Sequence, residues 1–128
     1  MAAAVRLEHV GIWAQGDAFE PTVAFYKAAF GWTLYRELDY PSRIAFLVDG
    51  QGGMIEILDQ PGAPMAHPNH LSFAIPVAEY PAKRAELEAL GRVFDLVLEM
   101  PSGDIVAYFN DPAGNRAQIV GRTGTFGQ

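Results

Sequence analysis

The two halves of this chain repeat one another, and that repeat constrains the fold more than any other feature of the sequence. With an offset of 61 residues His9 falls on His70. With an offset of 62, Ile44 falls on Val106, Phe46 on Tyr108, Asp49 on Asp111, Gly52 on Gly114, Glu56 on Gln118 and Ile57 on Ile119. A period of about half the chain means one supersecondary unit built twice, with the one-residue change of offset absorbed in a helix or its loops.

The order of elements within each half agrees. Residues 5–14 are β-rich and end at Gln15-Gly16-Asp17. Residues 21–30 read as a helix, with Pro21 in its first turn, Thr22 or Glu20 as cap and Gly31 as stop. Strand-like runs follow at Trp32–Leu38, Arg43–Asp49 and Gly53–Leu58, separated by Tyr40-Pro41-Ser42 and by Asp49 to Gly52. The second half reads as a strand at Asn69–Ile75, a helix at Glu79–Leu90 stopped by Gly91, and strands at Arg92–Glu99, Asp104–Asn110 and Asn115–Gly121. Each half is thus strand, helix, strand, strand, strand. This predicts an α+β fold of two βαβββ modules, 5–58 and 69–121, within one domain of 128 residues. A Pro- and Gly-rich linker, 59–68, joins them, and 122–128 read as a loose tail.

Composition narrows the function classes. Nine basic residues against fifteen acidic ones give a formal charge of −6, a poor match to nucleic acid or an anionic membrane. The first six residues carry no charged region followed by an apolar one, so no secretory leader is expected, and the chain is expected in the cytoplasm. The absence of cysteine excludes disulfides, thiolate nucleophiles and Cys-type zinc sites. Any metal must therefore be held by His, Asp, Glu or neutral oxygen donors.

Two of the three histidines occupy the same position of the repeat, on the first strand of each half. Glu56 and Gln118 occupy equivalent positions on the last strand of each half. His9 and Glu56 are 47 residues apart, and His70 and Gln118 are 48 apart. If first and last strands are neighbours, each histidine stands beside its polar partner. Pairing the halves about a pseudo-twofold axis would then gather two imidazoles, a carboxylate and an amide oxygen. That donor set suits a divalent ion such as Zn, Ni, Co, Mn or Fe. Glu56 lies among Met54, Ile55, Ile57 and Leu58, where an unpaired carboxylate is costly. A metal is one partner for it; a metal-free pair with histidinium His9 is another. His67, in the linker, reads as a rim residue. Trp13, Phe46, Met54, Phe73 and Tyr108 are candidate cavity walls, though each is also ordinary core material. Arg116 shares the parity of Gln118 and either meets a substrate anion or reaches solvent; Arg43 is equally open. Asp49 and Asp111 read as turn residues.

The runs Leu7-Glu8-His9-Val10-Gly11-Ile12, Phe25 to Trp32, Gly53 to Leu58, Asn69 to Phe73 and Phe109 to Gln118 resemble the vicinal oxygen chelate superfamily. That is the glyoxalase, bleomycin-resistance and extradiol-dioxygenase group, and the resemblance spans residues 5–121. It implies curled mixed sheets around a cavity, with metal ligands from the first and last strand of each module. Carried over, these are His9, Glu56, His70 and Gln118. It also implies a small-molecule substrate bound through oxygens or a stabilised oxyanion, and commonly a homodimer. Isomerase, epimerase or lyase chemistry is expected, with Glu56 doubling as base. A metal-free drug-sequestering protein is the alternative, and dioxygenase chemistry a further one. Gln118 departs from the hemithioacetal isomerases, which carry a carboxylate there, because an amide cannot accept a proton at neutral pH.

Overall fold

A short strand β1 (Val10–Trp13) leads through a 3-10 turn into helix α1 (Phe19–Phe30). Strands β2 (Thr33–Leu38), β3 (Ile44–Val48) and β4 (Met54–Leu58) complete the first half. The second half repeats the order: β5 (Leu71–Pro76), a 3-10 turn, α2 (Tyr80–Ala89), β6 (Leu96–Glu99), β7 (Ile105–Asn110) and β8 (Arg116–Arg122). This computed structural model describes residues 3–126; the first two residues of the leader reading and the last two of the tail lie outside the described residues. The chain divides into two compact units, one ending at Gly62 and the other beginning at Ala63, so the expected linker is split between them.

Each unit holds a four-stranded mixed sheet, ordered β1-β4-β3-β2 in the first and β5-β8-β7-β6 in the second. The first and last strands of each unit are parallel neighbours, and the remaining pairs are antiparallel. The twin βαβββ architecture expected from the repeat is what the chain adopts.

Alternation along the strands sets the layers. In the first unit Ile12, Ala14, Ala45, Leu47, Ile55 and Ile57 are buried. They share the sheet face that meets α1, whose Val23, Tyr26 and Ala29 are buried in turn. In the second unit Ala107, Ala117 and Ile119 are buried in the same way. A Cβ on Gly121 would touch Val77 and Tyr80, which marks this as the α2 face. The opposite face of each sheet carries the polar residues of interest.

Local corrections have identifiable causes. Residues 5–9 are β-rich but do not join β1, and Val5 and Leu7 are almost fully exposed. Helix α1 begins at Phe19, fed by the 3-10 turn Gly16–Ala18, so Glu20 and Thr22 lie inside it and no side chain caps it. Gly31 ends it as expected, in the left-handed region at φ 67°, with its N–H on the carbonyls of Tyr26 and Lys27. The tail is partly tied: Arg122 ends β8, and Thr123 donates its N–H and hydroxyl to Asp104.

Asp49 and Asp111 are turn residues in both units. Asp49 Oδ1 accepts the N–H groups of Gln51 and Gly53. Asp111 Oδ1 accepts those of Ala113 and Asn115, and the Asn115 amide closes on the same carboxylate. The Asn115 Oδ1 in turn accepts the N–H of Met65, fixing the latter part of the linker to the second unit.

Candidate functional site

Register brings the repeat-equivalent residues onto one row in each sheet. In the first unit Gly11 pairs with Glu56, Glu56 with Phe46 and Phe46 with Arg36. In the second Ser72 pairs with Gln118, Gln118 with Tyr108 and Tyr108 with Leu96. Residues paired across strands point to the same side of a sheet. Each row therefore lies on the face away from its helix.

His9 and His70 immediately precede β1 and β5 and pack alike. The His9 ring meets Phe46 edge-on at 5.5 Å, and the His70 ring meets Tyr108 edge-on at 5.4 Å. Both rings are tethered through Nδ1. His9 Nδ1 lies 2.9 Å from Glu8 Oε1, and His70 Nδ1 lies 2.7 Å from the Pro68 carbonyl oxygen. A carbonyl oxygen only accepts, so Nδ1 of His70 carries the proton. In the neutral ring Nε2 is then a lone-pair donor. A carboxylate on Nδ1 sets the same tautomer in His9. Tethering of one ring nitrogen by an oxygen acceptor is the arrangement that orients metal-binding histidines.

His9 stands beside Glu56, as the repeat predicts, whereas His70 meets the Pro68 carbonyl and the Tyr108 ring. His9 Nε2 lies 3.6 Å from Glu56 Oε1, beyond hydrogen-bond distance. Gln118 is buried and accepts the Ser72 hydroxyl on Oε1 at 2.8 Å. One lone pair of that oxygen remains. His70 reaches the Gln118 row through Tyr108, the residue paired with Gln118. Two imidazole nitrogens with free lone pairs, a carboxylate and an amide oxygen make a donor set that fits a divalent ion. Among the described residues no three His, Asp or Glu side chains form a ready-made cluster. The first unit holds His9 and Glu56, and the second His70 and Gln118.

The expected wall residues divide. Phe46 and Met54 line a cleft of about 450 Å³ in the first unit, together with Arg6, Glu8, Tyr35, Arg36 and Val48. Trp13 pairs with Leu58 on the Glu56 side of the sheet. Tyr108 lies among His67, His70 and Arg116. Phe73 is a correction: it pairs with Ile119, and Ile119 with Ala107, on the buried α2 face. One step along a strand reverses the side, so Phe73, half-buried, points away from Gln118.

Arg116 is buried in the second unit. Its guanidinium binds Asp95 at 2.8 Å, lies 4.9 Å over the Tyr108 ring, and donates from Nε to His67 Nδ1 at 3.4 Å. That charge is already answered by a carboxylate. Arg43 likewise binds Asp59 at 2.8 Å and Glu20 at 3.2 Å. His67 is exposed, as expected of a rim residue. The residues missing from the sequence reading are Arg6, Tyr35 and Arg36, which line the cleft.

Two modules of this topology, with matched polar rows, can be set against known proteins. The sequence model of the Glyoxalase/Bleomycin resistance protein/Dioxygenase superfamily matches residues 6–119. The chain belongs to that superfamily. A search of the curated proteins finds no match for this superfamily member. Among solved structures it is similar to a mutant of the fosfomycin resistance protein FosX from Listeria monocytogenes, complexed with Mn(II) and 1S,2S-dihydroxypropylphosphonic acid. The TM-score is 0.79 at 19 % identity, over 97 % of this chain and 94 % of that one. It is also similar to a lactoylglutathione lyase from Agrobacterium tumefaciens, with TM-score 0.70, 22 % identity and coverage of 95 % and 97 %. The oxidase ChaP-H2 gives 0.72 at 18 % identity, over 95 % of this chain and all of that chain. These likenesses establish the glyoxalase fold. Relatives sharing it differ in chemistry, so the reaction must be argued from the site.

Proposed function

We propose that this superfamily member is a metal-dependent enzyme that isomerises, epimerises or cleaves a small oxygenated substrate. His9, Glu56, His70 and Gln118 hold the ion. The observation that carries the reading is the matched tethering of His9 and His70 through Nδ1, at repeat-equivalent positions, which leaves both Nε2 atoms as donors. That a relative of the same fold was crystallised with Mn(II) supports it.

A bound divalent ion supplies Lewis-acid stabilisation of an enolate or other oxyanion. Two imidazoles, one carboxylate and one amide leave such a centre with about one net positive charge, which favours an anionic bound species. The remaining chemistry falls to the protein. Glu56 is the carboxylate of the donor set; on leaving the ion when substrate binds, it would accept a proton α to a carbonyl. Gln118 cannot share that role, because its amide takes up no proton near neutrality. Ser72 holds the amide with its oxygen fixed, and Glu8 and the Pro68 carbonyl hold the two imidazoles.

A second reading has an observation of its own. The cleft of about 450 Å³ beside Phe46 and Met54 has the size and apolar walls of a small-molecule site, and serves equally a protein that sequesters its ligand without metal. Calorimetric titration of EDTA-treated protein with Mn(II), Ni(II) and Zn(II) separates the two. The enzyme reading expects one ion per chain and at least a tenfold loss of affinity, roughly, in His9→Ala, Glu56→Ala and His70→Ala. Absence of binding, or variants that bind as the parent does, overturns it.

A further inference from the structure

The chain has seven arginines and a net charge of −6. Five of the arginines are engaged. Arg43, Arg84, Arg116 and Arg122 each meet a carboxylate, and Arg92 donates to the Asn110 carbonyl. Among the described residues, Arg6 and Arg36 have no ion-pair partner. Both line the same cleft of the first unit.

Arg36 owes its position to a break in register. Strand β2 pairs Thr33 with Val48 and Leu34 with Leu47, then skips Tyr35 and resumes with Arg36 opposite Phe46. Without that bulge Tyr35 would stand opposite Phe46. A bulge re-aims a side chain in this way. The guanidinium is thereby set on the same row as Phe46 and Glu56. Arg6 reaches the cleft from the segment before β1. Phe46, Val48 and Met54 supply apolar walls, and Tyr35 an aromatic one. The acidic member, Glu8, has its carboxylate on His9 Nδ1. The equivalent row of the second unit ends in Leu96, so the cation belongs to the first unit's row alone.

We infer that this cleft is an anion subsite. Arg36 and Arg6 bind the carboxylate, phosphate or phosphonate of a ligand whose planar or apolar body lies against Phe46 and Met54. The inference rests on the proposed small-molecule reading and adds the substrate class: an acid-bearing molecule, its anionic group set apart from the reacting oxygens. Arg36 and Glu56 are two strands apart, so roughly 10 Å separates the two ends at a strand spacing of about 4.8 Å. Paired guanidinium donors suit such anions by geometry as well as by charge.

The test uses EDTA-treated protein in a metal- and phosphate-free buffer, titrated with phenyl phosphate and, in parallel, phenol, following backbone amide shifts of β3 and β4. Phenyl phosphate is expected to bind the parent more tightly than phenol does. Its affinity is expected to fall about tenfold in Arg36→Gln and in Arg6→Gln, the scale of a charge-assisted hydrogen bond. Phenol affinity is expected to stay constant across the variants. If phenyl phosphate and phenol bind alike, or if both variants bind phenyl phosphate as the parent does, the subsite is overturned. Mn(II) affinity of the same proteins is read separately. A failed metal reading therefore shows as absent Mn(II) binding, with the phenyl phosphate result unaffected.

Discussion

Gly11 stands directly opposite Glu56 in the parallel pairing of β1 with β4, and a Cβ placed on it would come 3.2 Å from Glu56 Oε1. The carboxylate that faces His9 occupies space that any other residue at position 11 would enter. Its equivalent in the second unit, Ser72, does carry a side chain, and that side chain bonds the amide of Gln118.

Substituting Gly11→Ala should disturb the Glu56 carboxylate while leaving the fold intact, because the site lies on an edge strand. On the proposed metal reading, affinity for Mn(II) falls about tenfold, as for other residues that orient ligands. Thermal denaturation is expected to change little. Calorimetry and a melting curve on the same sample check both.

Gln118→Glu should act in the opposite sense. A carboxylate is a stronger donor than an amide and cancels the extra positive charge, so metal affinity is expected to rise by roughly tenfold. The Ser72 hydroxyl remains able to donate to the new side chain. Unchanged or weaker affinity in a metal titration would remove Gln118 from the donor set.

The equivalent turns of the two units predict unequal losses. Asp111 is buried and holds two backbone N–H groups and the Asn115 amide; Asp49 is less buried and holds two N–H groups. Asp111→Ala should cost about 2–4 kcal/mol and Asp49→Ala about 1, because only the former strands buried donors. Urea denaturation of the two variants gives the comparison. Equal losses would contradict the burial argument.

Stability against acid should depend on Asp59 and Asp104. The Gly16 N–H and then Arg43 hold the Asp59 carboxyl below its ordinary value of 3.8. The Thr123 N–H and hydroxyl, followed by Arg122, do the same for Asp104. A lowered folded-state value means that the unfolded chain takes up protons first. Their contribution is thus complete above that ordinary value and is lost as pH falls beneath it. Asp59→Asn and Asp104→Asn should flatten the acid limb of a stability-pH curve below pH 3.8 and leave its neutral slope unchanged. Both carboxyls are half-buried but still reach solvent, so the effect is modest and shrinks with salt.

Topology was legible because the repeat places His9 and His70 alike and because turn residues such as Asp49 and Asp111 punctuate each half. The pairing of first with last strands, on which the His9–Glu56 contact depends, followed from the same logic. Failures came where composition and geometry part. Val5 and Leu7 look like strand residues, yet among the described residues no strand pairs with them there. Phe73 looks like a cavity wall, yet its parity matches Ile119 rather than Gln118. Arg36 carries no signal in sequence, because its placement depends on the skipped residue at Tyr35, and a bulge is invisible to alternation.

The contacts around each of these polar pairs are confined to a single unit. Glu8 and Gly11 govern the acidic pair; Pro68 and Ser72 govern the amide pair. Exchange of one donor, amide for acid or the reverse, therefore leaves the scaffold of the other half untouched. On the proposed metal reading, a lineage built on this duplication retunes its charge one half at a time, and a single codon changes the net charge of the donor set.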